Sequence, residues 1–505
     1  MNRGQPTGEL RFPCQNSPHN LVASLRSVFR ATQTRCVLSK IRSSDGKPSL
    51  LFWVLVAFLA LLFATGGASR TDVQSLVILR PASIIVCALA LMTLRKEHLA
   101  GRKWLIGSFA AVFGVALLHV IPLPPVVWQS LAGRQDLVDV EKLAGVTDLW
   151  RPLTLAPMNG WHALLSLFAP LAVLLLGIQL NRDDLFRILP LLIAFAGLSG
   201  LLGLLQAIGN PQSALYLYRI TNNGSAVGLF ANRNHSATLL ACLFPMLAVF
   251  ASTAKGTTDE VRLRQLVAAA IAIVLVPLIL VTGSRSGLVS AVIGMLGAGL
   301  LYHRPTDVRT VRKGSPDRIK ALPILGGLAV VSLGFLTFFF SRAEAIQRLF
   351  AEASGEDSRT DFWAVSLELF WKYFPWGSGS GSFVEAFQIV EPAYLLDATY
   401  LNRAHNDWVE IAVAFGLAGL ILLVLACAAF FWRSFNLWRK AETGRRYVAF
   451  GRLASVCIAI IAIASVSDYP LRTPTMMGVF AILTLWFTES GRERADSVST
   501  GRGGN

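Results

Sequence analysis

RAHNDWVEIAVAFGLAGLILLV, residues 403–424, sets Arg403, His405, Asn406, Asp407 and Glu410 at the threshold of a long apolar run. After Glu410 no charged residue appears before Arg433, enough chain to cross a hydrocarbon core of about 30 Å as a helix. The pattern recurs along the chain. Of 505 residues, 54% are hydrophobic and only 15% charged, with a mean hydropathy of +0.55, the composition of a protein solvated mainly by lipid. Apolar runs predict twelve spans, near 50–67, 75–94, 104–125, 161–179, 188–208, 234–253, 265–282, 286–302, 321–340, 407–431, 449–467 and 473–488. The expected architecture is an all-α polytopic membrane protein. Residues 1–49 form a basic cytoplasmic tail, 50–488 the transmembrane domain, and 489–505 a cytoplasmic C-terminal tail. A large outer loop, 341–406, separates the ninth and tenth spans.

A formal charge of +16 raises the question of nucleic acid, and its distribution answers for the membrane. With the N-terminus inside, the inner segments hold 31 of the 46 Lys and Arg and the outer ones 13, as the positive-inside rule expects. The loop 341–406 is acidic, and no aromatic-interleaved basic patch accompanies the charge, so nucleic acid is not an expected partner. Trp53, Trp104, Trp161, Trp408, Trp432 and Trp486 fall at predicted span ends, where indoles prefer to sit. The first apolar run begins near Leu50, after a polar tail, so the first helix is expected to stay as an anchor. Leu21, Leu25, Val28 and Phe29 in that tail share one helical face, which suits either a short interfacial helix or disorder. The six cysteines form no framework, and the seven histidines make no metal-binding pair. No metal or cofactor is indicated.

Sorting the polar residues near span ends by predicted side puts the informative ones together. GLFANRNHS (228–236), TGSRSG (282–287), SRTDFW (358–363), WGSGSGSF (376–383), RAHND (403–407) and SDYPLR (467–472) all face the exoplasm, like the lining of a cleft at the outer membrane boundary. Arg285, in a very short hairpin, either snorkels to headgroups or presents a fixed guanidinium fork to a lipid-borne phosphate, aided by amides of the Gly-Ser turn. Arg359 reads as a solvated salt-bridge partner or as a second such fork. WGSGSGS alone suits a flexible connector better than a phosphate cradle. Asn232, Asn234 and His235 can serve simply as a polar helix start. In the opening stretch, Asp407 is expected to cap the helix and Glu410 to complete a capping box. That arrangement requires nothing of His405. A histidine just outside a helix N-terminus feels the positive end of the macrodipole, which disfavours imidazolium and keeps a neutral base available. Gly416 and Gly419 would let another span approach closely.

H-N-x9-G-x2-G, filled by His405, Asn406, Gly416 and Gly419, resembles the signature of the O-antigen ligase and O-antigen polymerase superfamily of membrane glycosyltransferases. GLFANRNHSATLLA, the TGSRSG turn, RTDFW with WGSGSGSF, and the His motif stand in that family's order, and the outer loop with WQSLAGRQDL and WRPLTLAP is similar to polysaccharide-assembly members. The basic N-terminal tail has no counterpart. The resemblance implies a GT-C-like helical fold with a periplasmic loop over a lipid-facing cavity, in the inner membrane. A glycan on undecaprenyl diphosphate would enter laterally and pass to an acceptor hydroxyl, with inversion and without metal. The acceptor would be lipid A core in a ligase or a growing glycan in a polymerase. Carried over, His405 matches the essential histidine, and Arg285 and Arg359 the arginines set against the diphosphate. Arg403, Asn406, Glu410, Asn232 and His235 are supporting candidates for substrate binding.

These residue types suit that chemistry. Two guanidiniums can stabilise a diphosphate leaving group without Mg²⁺, and a neutral histidine can take the acceptor's proton. No DxD-like pair lies on the outer side. Glu356, Asp357 and Asp361 are the one metal-site alternative, against a solvated loop. A transporter of a lipid-linked or anionic substrate is the reading of a different class. Coupled transporters bury ionisable groups near the bilayer midplane, whereas here only His119 lies well inside a predicted span.

Overall fold

The computed structural model describes residues 48–305, 308–309, 358–396, 400–439 and 446–490. The longer helices are α1 (Leu50–Thr65), α2 (Leu76–Thr93), α3 (Lys103–Leu118), α4 (Gln135–Leu143), α5 (Pro157–Ser166), α6 (Phe168–Gly177), α7 (Arg182–Ile208) and α8 (Arg233–Ser252). They continue with α9 (Thr258–Thr282), α10 (Arg285–Leu301), α11 (Ser358–Tyr373), α12 (Phe383–Val390), α13 (Asp407–Trp438), α14 (Arg446–Ala464) and α15 (Pro474–Glu489). Two-residue strands are the only sheet among the described residues: Pro122–Leu123 pairs antiparallel with Arg151–Pro152, and Gly256–Thr257 parallel with Val308–Arg309. Helices overlie every predicted apolar run except 321–340, which lies outside the described residues, as do residues 1–47 and 491–505 of the tails and residues 341–357 and 397–399 of the large loop. By length and composition, seven helices among the described residues can cross a membrane: α2, α5 with α6, α7, α8, α9, α13 and α14.

Polar side chains start these helices where the apolar runs begin. Ser49 accepts from the Phe52 amide, Asn181 from Asp184, Ser284 from Gly287 and Thr473 from Met476, while Thr257 and Glu260 form a reciprocal capping box. Each satisfies a donor that the first helical turn cannot. The core is built around α8, which is enclosed by α7, α9, α10 and α14. Small residues on α10 permit its approach: a Cβ on Gly294 would stand 2.5 Å from the Ala241 carbonyl. A second layer packs α1, α6 and α15 together, with Leu55, Leu59, Leu62, Leu176 and Trp486 fully buried. Trp486, expected at the interface, instead donates to the Leu185 carbonyl inside this layer.

Helix α13 differs from the rest. Its 32 residues span about 48 Å at the usual rise, against about 24 Å for the 16 of α15. Yet the two are tied at both ends: Arg472, just before α15, meets Asp407 at the head of α13, and Arg433 donates to the Phe487 and Thr488 carbonyls at the foot of α15. The longer helix extends past its neighbour and leaves its middle uncovered. No residue from Leu420 to Asn436 is buried, and α13 breaks at Gly416, whose φ of 53° and ψ of −137° lie outside the helical region.

What fills the break is the Gly-Ser loop. Leu417 donates to the Pro375 carbonyl at 2.8 Å, and Ser378 and Gly379 donate to Val413 and Ala414 at 2.9 Å each. The loop thus takes over helical hydrogen-bonding groups that the kink exposes. A Cβ on Gly416 would run into the Pro375 carbonyl. On the loop's other side, the Ser380 amide donates to His119 Nδ1 at 3.0 Å and the Ser380 carbonyl accepts from Thr154. Ser378, Ser380 and Ser382 are fully buried, so WGSGSGS is a packed wedge and not a flexible connector. His119 follows the end of α3 and stacks on Phe415.

Candidate functional site

The end of α1, the starts of α8, α10 and α13, and the turn between α14 and α15 meet at one end of the bundle. Ala231 donates to Gly67, Thr475 to Gly66 and Asp407 to Ser465 across these segments. Six of the eight sequence candidates converge here: Asn232, His235, Arg403, His405, Asn406 and Glu410. Two residues not singled out from sequence, Asp468 and Arg472, organise them.

Asp468 is 1% exposed. Asn232 and Asn234 donate their side-chain amides to it at 3.1 and 2.5 Å, and the Tyr469 backbone amide does so at 2.9 Å. His235 Nε2 stands 3.5 Å and His405 Nδ1 3.9 Å from its Oδ1. Both lie beyond aligned hydrogen-bond geometry and become ion pairs only when the imidazole is protonated. Burial pushes the carboxyl upward, but the facing His235 and His405 imidazoles and the Asn234 amide outweigh it and bring the group down to about 2. The Tyr469 ring lies 5.1 Å from each imidazole and spaces them. Of the two histidines, His235 is 1% exposed, while the His405 side chain keeps 30% of its surface open.

The sequence around His405 gives that imidazole its placement. His405 has φ +47°, a left-handed conformation that costs most residues about 1–2 kcal/mol, although His visits it more readily than most. Both flanks are fastened. Asn406, not Asp407, caps α13, accepting from the Trp408 and Val409 amides at 3.0 and 3.2 Å. Glu410 reaches back to the Ala404 amide at 3.2 Å and to Arg403 Nη1 at 2.8 Å. Arg472 Nε meets Asp407 Oδ1 at 2.7 Å, and its Nη2 lies 3.5 Å from Glu410. The two carboxylates, both nearly buried, are thus balanced by two guanidiniums. Burial works against the Arg472 charge, but Glu410 and Asp407 prevail and raise its pKa above the usual guanidinium value.

The remaining candidates stand apart from this cluster. Arg285 is exposed at the first position of α10, after Gly283 and Ser284. Two amides of that turn are used internally, Gly287 on Ser284 Oγ and Ser284 on Thr282 Oγ1, so the turn offers a phosphate fewer donors than expected. Arg233 joins it: its Nη1 lies 3.6 Å from the point a Cβ on Gly283 would occupy. Arg359 lies in the first turn of α11, but its side chain is outside the described residues, as are Glu356 and Asp357. Among the described residues no group of three His, Cys, Asp or Glu is placed to hold a metal ion.

A partly open imidazole beside a buried, ionised carboxylate can take a proton and have the resulting charge stabilised. Guanidiniums over a nearby turn can receive an anion. Residues 266–424 match the family described as O-Antigen ligase, a stretch running from α9 to the middle of α13. No curated protein matches the chain. The matched stretch carries both Arg285 and His405 and is similar to that family.

Proposed function

We propose that this chain is an O-antigen ligase-like membrane glycosyltransferase that moves a glycan from undecaprenyl diphosphate to an acceptor hydroxyl on the periplasmic side of the inner membrane. The observation that carries the reading is the pairing of His405 with Asp468 at the end of the bundle where Arg285 and Arg233 gather. His405 would take the proton of the acceptor hydroxyl as its oxygen attacks the anomeric carbon from the face opposite the diphosphate. The glycosidic bond forms, the bond to the diphosphate oxygen breaks, and undecaprenyl diphosphate leaves with the electron pair. Asp468 would stabilise the imidazolium, and Arg285, Arg233 and Arg359 the charge on the leaving group. Such a step draws on no metal ion. The middle of α13 supports entry of the lipid from the side, because no residue from Leu420 to Asn436 is buried and a polyprenyl chain can lie along it.

Ligase and repeat-unit polymerase would share this step and differ in the acceptor. A transporter of the same lipid-linked substrate would use the lateral opening but needs no base. Purified protein given lipid-linked glycan and acceptor in EDTA should release undecaprenyl diphosphate in a one-to-one ratio with new glycoside. Movement of the lipid across a vesicle with no glycoside formed would overturn the reading.

A further inference from the structure

The end of the bundle opposite His405 gathers a second set of cations. Arg187 lies in the second turn of α7, Arg264 in the second turn of α9, and Arg446 at the head of α14. The Arg264 guanidinium lies 3.8 Å from the ring centre of Phe250, in the last turn of α8. That of Arg446 lies 5.0 Å from Phe186 and 5.7 Å from Phe450. Such stacking holds a guanidinium by its face and leaves its edge for a ligand. The Nε atoms of Arg264 and Arg446 are shielded from solvent and have no hydrogen-bond partner among the described residues. All three side chains remain partly exposed.

Among the described residues the charges of Arg264 and Arg446 are incompletely answered. Arg264 and Arg446 repel one another, as do Arg446 and Arg187. Asp184 pairs with Arg187 at 2.7 Å, and the mostly exposed Asp183 lies 3.5 Å from Arg446. Glu260, one turn before Arg264, is turned back to the Thr257 amide. Nor does helix electrostatics account for the placement: α7, α9 and α14 all begin at this end, where the macrodipole is positive and favours anions. The first turns of α7 and α9 carry acids, whereas that of α14 carries none and opens with Arg446 itself. Among the described residues Arg264 meets no carboxylate within ion-pair distance and Arg446 meets only the mostly exposed Asp183, so both guanidiniums can take a further anion.

We propose that Arg187, Arg264 and Arg446 bind the phosphodiester headgroup of an anionic phospholipid in the leaflet at this end of the bundle. Phe186, Phe250 and Phe450 form an apolar bed beneath the guanidiniums. Val267 on α9, one turn beyond Arg264 and 42% exposed, continues that surface toward the bilayer interior, where the acyl chains would lie. A free phosphate would use only the guanidinium edges. Basic pockets between spans are known to hold anionic headgroups in this manner.

The test uses the full-length protein in nanodiscs of phosphatidylcholine alone or with phosphatidylglycerol or cardiolipin, read by thermal melting and by native mass spectrometry of retained lipid. The anionic lipids should raise the wild-type melting temperature by several degrees, and one or more should stay bound. Arg264→Gln breaks no ion pair among the described residues, so it should fold and lose at least half of that shift. Arg264→Gln with Arg446→Gln should lose nearly all of it, while Arg262→Gln, exposed and two positions away, should keep it. An undiminished shift in Arg264→Gln, or an equal shift from inorganic phosphate in phosphatidylcholine discs, would overturn the proposal.

Discussion

His405 holds a left-handed backbone only because its neighbours leave it no alternative: Asn406 is spent on the helix start, and Arg403 and Ala404 are fastened to Glu410. Arg472 completes the clamp and also fixes the turn that carries Asp468. Replacing it with Gln leaves the nearly buried Asp407 and Glu410 short of a counter-charge, a loss of about 3 kcal/mol or more for a broken buried pair. Melting in detergent would register it. Asp468→Asn should separate the two roles more cleanly. The amide keeps shape and can still meet Tyr469 and one asparagine, so the protein should accumulate, whereas transfer should fall by about 10² or more for want of a charge behind the base. The pH dependence follows from the depressed carboxyl. A group at about 2 in the fold and about 3.9 unfolded lends stability that is fully present above pH 4 and is lost as pH falls through 2. Asp468→Asn should therefore melt with less acid sensitivity between pH 4 and pH 2 than wild type; identical acid profiles would show that the Asp468 charge does not support the fold. Asp468 was illegible in the sequence because one carboxylate in SDYPLR has no pattern of its own. Its role comes from residues more than 230 positions away, Asn232 and Asn234.

Helix α13 shows what periodicity conveys and what it conceals. The apolar run from Ile411 onward marks a membrane helix plainly, and the polar residues before it mark a helix start. Which residue caps was misjudged, since Asn406 and Asp407 are both good caps and only the backbone turn at His405 selects the first. Gly416 and Gly419 were read as room for another span. Gly416 is instead a break entered by the Gly-Ser wedge, an interaction between segments some forty residues apart that neither stretch announces. Gly416→Ala tests the wedge. A Cβ at φ 53° costs about 1–2 kcal/mol in backbone strain alone, and its collision with the Pro375 carbonyl should loosen residues 375–382. Faster hydrogen exchange at Ser378 and Gly379, which bond to Val413 and Ala414, is the expected signature. Unchanged exchange there would mean the wedge is held from its other side, by Arg134, Thr154, Leu155 and His119.

Over the whole molecule, four of the six segments expected on one side of the membrane, 228–236, 282–287, 403–407 and 467–472, meet at one end of the bundle, while Arg187, Arg264 and Arg446 gather at the other. That polarity makes topology a prediction. Reporters fused after Lys255 should read cytoplasmic, and those after Asn210 periplasmic; the reverse pattern would place the cluster where no lipid-linked glycan awaits transfer. The helical class and the likeness of residues 266–424 to a known family were legible because both are written in local runs and motifs, whereas the charge network closing the site is a product of tertiary contact. Transfer of glycan by His405→Asn measures the central claim most directly. Asparagine tolerates the left-handed backbone at least as well as histidine, so the variant should fold with equal or greater stability while lacking a basic nitrogen. Single-turnover transfer from undecaprenyl diphosphate-linked glycan by the purified variant should be slower than wild type by about 10² to 10⁴, with donor affinity little changed. Transfer within a few-fold of wild type would contradict the assignment of His405 as the base.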